Sequence, residues 1–297
     1  MSALRAVLES ATSVATHTRV VEIGGVPIAL STRSATFAQM VEERYVGFVS
    51  VNEEPFDLIQ FDIELLESGA RGFGQSECGR EADDAQDSDV SDDELEVTRG
   101  KGVWRMCRGD FLAEWDPGTG RGRIRQAMNP YSLDSVLRIV HSLVLAKRGE
   151  FLVHAASAIR NGRAFLFAGV SGAGKTTISR LAPVDATLLT DEISYVRKSA
   201  RGYEAHGTPF TGELARVGAH CSAPLQVLYL LRQGAENRID EVDLALATQA
   251  LLRNILFFAH DTELVQAIFE GACEFVQRVP VRQLTFRKDA SVWDLVA

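Results

Sequence analysis

The sequence predicts an α/β protein in two parts: an α+β, strand-rich region over residues 1–149 and an α/β domain over residues 150–297. Three observations lead there. Short β-branched and aromatic runs separated by Gly and Pro turns dominate the first half. The apolar spacing becomes helical over residues 132–149. An apolar strand then runs into a glycine-rich loop and a helix, FLFAGVSGAGKTTISRL, over residues 165–181. With 297 residues and 46% hydrophobic content, the chain is long enough to bury the cores this division requires.

In chain order, VVEIGGVPIALST (20–32) and FDLIQFDIELLE (56–67) read as strands, with a turn signal at Gly24-Gly25. Residues 77–96 hold ten acids and one arginine, and so account for the whole formal charge of −9. That segment repels itself and has little apolar surface to offset its ordering entropy, so an acidic disordered insert is expected over about 69–101. The rest is nearly neutral and carries no basic stripe, which argues against a nucleic-acid partner. VWRMCR, FLAEWD and RIRQA follow as a meander, broken at Gly109-Asp110 and at Pro117-Gly118-Thr119-Gly120. SLDSVLRIVHSLVLAKRG (132–149) reads as an amphipathic helix capped by Ser132.

In the second part, FLVHAASAIR and RAFLFAGV flank Asn161-Gly162, a type I′ hairpin signal. KTTISRLA is a short helix, ATLLTD a strand, ISYVRK and GYEAHG a hairpin, and PLQVLYLLR (224–232) a buried strand. Two helices, EVDLALATQALLRNILFFAHD and TELVQAIFEGACEFVQR, precede a last strand, PVRQLTFRK. No apolar run reaches 18 residues and the N-terminus lacks a continuous apolar core, so no membrane association and a cytoplasmic location are expected. Cys78, Cys107, Cys221 and Cys273 are scattered without zinc-site spacing and read as free thiols.

Gly169-Val170-Ser171-Gly172-Ala173-Gly174-Lys175-Thr176 fits G-x-x-x-x-G-K-[ST], between the strand and the helix that this motif requires. Glycines let amide groups approach phosphate oxygens, Lys175 supplies a point charge to the β and γ phosphates, and the Thr176 hydroxyl suits Mg²⁺. The expected ligands are therefore ATP and Mg²⁺. Thr177 is either a further member of the cradle or plain helix. Asp191 and Glu192 end a strand that begins one short helix later, and Asp191 is expected on the strand beside the P-loop strand. Both acids are candidate metal ligands with Thr176. No D-x-x-G or N-K-x-D follows, which disfavours a GTP-dependent switch, whereas an ATP-hydrolysing motor stays open.

These residues resemble the HPr kinase/phosphorylase family, whose ATP-binding domain is similar to that of ATP-dependent phosphoenolpyruvate carboxykinase. His154 lies 15 residues before Gly169, the step from Lys175 to Asp191-Glu192 is short, and HGTPFTGE (206–213) and VPVRQLTFRKDASVWDLV resemble a divergent branch. Some members of that branch phosphorylate a serine on a ribosomally made peptide. The resemblance covers about 150–297 and implies a P-loop kinase domain of that type. It implies a kinase that transfers the γ-phosphate to a hydroxyl, a serine of a peptide or small protein, in a protein able to form homo-oligomers. It also implies that Asp191 is the base, with His154 tuning its charge and Glu192 ligating metal or positioning the hydroxyl. Two departures stand out: Glu192 replaces the family's second aspartate, and the C-terminal signature of the phosphorolytic reaction is missing. Glu213 and Arg216 are substrate contacts or a solvated pair after a turn. Arg253 is a buried ion-pair partner or a catalytic-face residue. With no catalytic motif, residues 1–149 are expected to recognise the substrate. The competing readings are an ATP-binding or ATP-hydrolysing regulatory protein and a small-molecule kinase.

Overall fold

In the computed structural model, which describes residues 15–50, 59–67, 73 and 95–296, two sheets of different connectivity share one apolar seam. The first is built from β1 (His17–Ile23), β2 (Val26–Thr32), β3 (Val49–Ser50), β4 (Ile59–Leu65), β5 (Glu96–Gly100), β6 (Val103–Arg108), β7 (Phe111–Asp116) and β8 (Arg121–Gln126). Its strand order is β3-β1-β2-β4-β8-β7-β6-β5, with the β2–β4 and β4–β8 pairs parallel. Gly24 and Gly25 both take positive φ, at 58° and 74°, the geometry that a two-residue hairpin between right-twisted strands demands. A Cβ on Gly24 would lie 2.3 Å from the Tyr195 ring, so this turn rests directly on the second sheet.

The acidic stretch 74–94 lies outside the described residues. The insert nevertheless ends sooner than expected, because Glu96–Gly100 is a strand paired with Val103–Arg108. From Val97 onward the acids give way to an apolar residue that enters the core and to the cations Arg99 and Lys101. Cys107 is disulfide-bonded, against the reading of four free thiols, whereas Cys221 and Cys273 are free. Cys78 is outside the described residues.

Helix α1 (Ala35–Arg44), not foreseen in the sequence, starts where the Ser34 hydroxyl accepts the Phe37 amide, and it buries Phe37, Ala38 and Val41. The long helix α2 (Pro130–Ala146) is capped by Asn129, with Pro130 in its first turn. Ser132 is thus not the cap; its hydroxyl donates to Asp110 Oδ2 at 2.7 Å. Leu133, Val136, Leu137, Val140 and Leu143 are fully buried on α2, which lies between the two sheets.

The second sheet holds β9 (Phe151–Arg160), β10 (Arg163–Ala168), β11 (Thr187–Thr190), β12 (Ile193–Ser199), β13 (Gly202–His206), β14 (Ser222–Gln233), β15 (Arg238–Glu241), β16 (Ile255–Leu256) and β17 (Val281–Phe286). Its path β10-β9-β12-β13-β14-β17-β15 closes on itself through a parallel β10–β14 ladder. Helices α3 (Lys175–Arg180), α4 (Leu244–Asn254) and α5 (Thr262–Arg278) complete this part, with a C-terminal 3₁₀ turn at Ala290–Asp294. The first late helix stops at Asn254, after which Ile255–Leu256 pairs with β9. Asn161 and Gly162, both at positive φ, join β9 to β10 as the dipeptide demands. No helix among the described residues is long and apolar enough to cross a membrane.

One hydrophobic cluster takes Ile28, Phe61 and Trp104 from the first sheet, Leu137 and Val140 from α2, and Leu152, Tyr195 and Phe210 from the second part. The two sheets are therefore held by a common core.

Candidate functional site

The glycine-rich loop leaves β10 at Gly169 and enters α3 at Lys175. Its floor is packed from the C-terminus. A Cβ on Gly174 would meet Phe286 Cζ at 2.6 Å, and the Trp293 indole donates to the Ile178 carbonyl at 3.1 Å. Gly172 and Gly174 take φ of 78° and 115°, conformations that disfavour side-chain-bearing residues, and a Cβ on Gly172 would meet nothing within 4 Å. The loop is thus closed below and open above.

Ala173 donates its amide to Val170 and Ile178 donates to Gly174, but among the described residues the amides of Ser171, Gly172, Gly174, Lys175, Thr176 and Thr177 have no partner. The Thr176 and Thr177 hydroxyls likewise make no hydrogen bond there. A run of unsatisfied donors with a lysine beside it is chemistry for an anion rich in acceptor oxygens, so the residues fit a polyphosphate. The Lys175 ammonium is mostly buried and donates to the Gly169 carbonyl at 2.9 Å. Burial draws its pKa down, against the opposing pull of Glu192 and Glu213.

Asp191 and Glu192 follow β11, but β11 is not the neighbour of the P-loop strand. The hairpin partner β9 holds one edge of β10 and β14 the other, so β11 pairs with β9 instead. The two acids differ sharply. Asp191 is 2% exposed, and its oxygens accept the Gly212 amide at 3.0 Å and the Leu214 amide at 2.9 Å. Glu192 is half-buried and lies 3.5 Å from His154 Nε2. Thr190 Oγ1 accepts the amides of Glu192 and Ile193 at 3.2 Å each, which fixes the turn that carries them. His154, on β9, is drawn below the usual histidine range by burial, then by Lys175 and Arg138, with Glu192 opposing. Among the described residues no three His, Cys, Asp or Glu side chains cluster as a metal site. Any Mg²⁺ here depends on Thr176, the paired acids and phosphate oxygens together, the ligand mixture usual for this hard, strongly hydrated ion.

Glu213 is exposed and lies within the electrostatic reach of Lys175; Arg216 is exposed without an ion pair among the described residues. Arg253 is also exposed, beside Leu252 and Phe269 in an open apolar groove, which overturns the buried-ion-pair reading. The segment at Phe210 and Thr211 meets Arg44 and α2, which brings in residues the sequence reading had not selected. Arg138 on α2 stacks its guanidinium 4.9 Å from the Phe210 ring centroid. Arg44, at the end of α1, pairs with Asp134 and donates to Thr211 Oγ1 at 3.1 Å, while Tyr45 donates to Asp134 at 2.7 Å. The visible signal was Asp134, Arg138 and His141 at i, i+4 and i+7, a polar stripe within an apolar helix.

The ScmC family model, described as SynChlorMet cassette protein ScmC, matches residues 123–296, more than half of the chain, and the chain belongs to that family. The matched span begins within β8 and takes in α2 as well as the whole second sheet. No curated protein matches the chain.

Proposed function

We propose that this member of the ScmC family is an ATP- and Mg²⁺-dependent kinase that transfers the γ-phosphate to a hydroxyl, a serine of a peptide or small protein. One observation carries the reading: the unsatisfied loop amides and Lys175 share an electrostatic neighbourhood with a half-exposed Glu192 held against His154. A phosphate cradle beside a free carboxylate is what transfer to an alcohol requires. The resemblance to HPr kinases over the same residues supports it.

In this reading the loop amides and Lys175 hold the β and γ phosphates. Mg²⁺, bound with the nucleotide by Thr176 and the acids, would offset charge on the phosphate oxygens. The acceptor oxygen bonds to the γ-phosphorus, the bond to the bridging oxygen breaks, and its electron pair leaves with ADP. The resemblance to HPr kinases assigned the acceptor proton to Asp191. The geometry favours Glu192, because each Asp191 oxygen already accepts an amide and a carboxylate so engaged is a weaker base. Asp191 then holds the 212–214 loop in place, and neutral His154 orients the Glu192 carboxylate.

The test is transfer from γ-labelled ATP with Mg²⁺ and a lysate of the source cells, with a Lys175→Ala chain as control. Label in a polypeptide that requires Lys175 is expected. Label confined to free phosphate or to a metabolite would replace this reading with the ATPase or the small-molecule kinase.

A further inference from the structure

Arg138 has no assigned work in the site as described. Its natural partner one turn back, Asp134, is already engaged by Arg44 and Tyr45. Among the described residues Arg138 makes no ion pair, and its Nε is buried without a hydrogen-bond acceptor. A guanidinium does not escape such a site by losing its proton, so the fold holds a partly desolvated cation that Asp134 and Glu192 attract through space but do not pair.

The surroundings locate the anion that would pair with it. The Phe210 ring beneath Arg138 belongs to a residue whose carbonyl accepts from Thr190 Oγ1 at 3.4 Å, and Thr190 carries the turn of Asp191 and Glu192. Two residues further, Gly212 binds Asp191 and leaves no room for a side chain, since its Cβ would sit 2.6 Å from Glu192 Oε2. Arg138 acts electrostatically on His154 and Glu192, as Lys175 does from the loop. The His154–Glu192 pair therefore lies in the field of two cations drawn from separate parts of the chain.

We infer that Arg138 contacts the terminal phosphoryl group of the bound triphosphate, which makes it a second cation, with Lys175, for the group in transit. The inference rests on the triphosphate reading of the loop. As the acceptor oxygen–phosphorus bond forms and the bridging bond breaks, charge remains on the three equatorial oxygens, and the fork of Arg138 meets two of them. Arg138 neither gives nor takes a proton.

Calorimetric titration of the full chain with Mg²⁺-ADP and with the Mg²⁺ complex of the β,γ-imido ATP analogue tests it. Arg138→Ala should leave ADP affinity within about twofold and weaken the analogue by roughly tenfold or more. Arg138→Lys should fall between, because an ammonium restores charge without the fork. Unchanged analogue affinity, or an equal loss for both nucleotides, would overturn the inference while leaving the loop reading intact. A parent chain that binds neither nucleotide, or a Lys175→Ala chain that binds both as the parent does, would overturn the loop reading itself.

Discussion

The contact between the two sheets and the loop region beside it use the same residue types to opposite ends. At the contact, most charged groups are satisfied: Arg44 and Tyr45 close on Asp134, and Arg108 and Ser132 on Asp110, while Arg197 donates to the Gly24 carbonyl and lies 3.5 Å from Glu150 with its Nε unsatisfied. At the loop, among the described residues, Lys175 settles for a carbonyl, six amides find no partner, and Arg138 makes no ion pair. Burial differs as well, since Val170, Ser171 and Gly172 are exposed whereas Asp134 is buried. Paired buried groups hold a fold together, and solvent-facing donors without a protein partner are free to meet a ligand.

The strongest attack on this contrast is to neutralise the free carboxylate. Glu192→Gln should lower phosphoryl transfer by roughly a hundredfold or more, about 3–4 kcal/mol, with the affinity for nucleotide in the absence of Mg²⁺ unchanged by calorimetry. Asp191→Asn should instead cost about 1–2 kcal/mol of stability in urea melts, because the new amide opposes one of two backbone donors, while transfer falls less than in Glu192→Gln. The reverse ranking of the two variants in transfer rate would return the base to Asp191. Removing the loop cation, Lys175→Ala, should lower transfer by about 3 kcal/mol, roughly a hundredfold, without loss of fold by circular dichroism.

Next in size is a pH effect at the buried seam. His141 is fully buried, donates or accepts only toward Tyr195 at 3.3 Å, and its pKa is lowered by burial to about 3. The unfolded chain binds this proton from about 6.5 downward, so stability is lost as pH falls through that value and continues to fall toward 3. The loss from this residue should be about 2 kcal/mol between pH 7 and pH 5, and His141→Leu should flatten that part of the urea-melt profile. The smallest effect is at the contact itself. Tyr45→Phe should cost about 1 kcal/mol of stability by leaving Asp134 one donor short, with transfer unchanged. A large drop in transfer would show that this network sets the position of the loop.

The shared core also changes what can be asked of residues 1–149. Removing them would bare Leu152, Tyr195 and Phe210, so the second sheet is not expected to survive as an isolated piece that still binds nucleotide. Substrate recognition by the first region is better tested with point variants in the full chain.

Local chemistry made much of this legible. Asn161-Gly162 between apolar runs specifies a hairpin, Gly169–Thr176 specifies a glycine-rich turn from strand to helix, and Leu133 to Val144 at helical spacing specifies a buried helix, each within about fifteen residues. What local pattern misjudged was neighbourhood. Asp191 was expected beside the P-loop strand, but edge occupancy depends on which distant strands reach β10 first, and β9 and β14 hold both edges. Helix α1 was passed over because its single buried stripe of Phe37, Ala38 and Val41 is narrow for ten residues.

The sequence by itself determined the chemistry that lies along the chain: the loop that lacks side chains where phosphate would approach, the lysine after it, and the adjacent pair of acids. Only the tertiary structure decided which acid is free and which is spent on a loop, and that α2 lends Arg138 to the neighbourhood. The reason is physical. Conformational preference acts through neighbours a few residues apart, whereas desolvation, pairing and field depend on groups such as 138, 192 and 210 that only packing brings together.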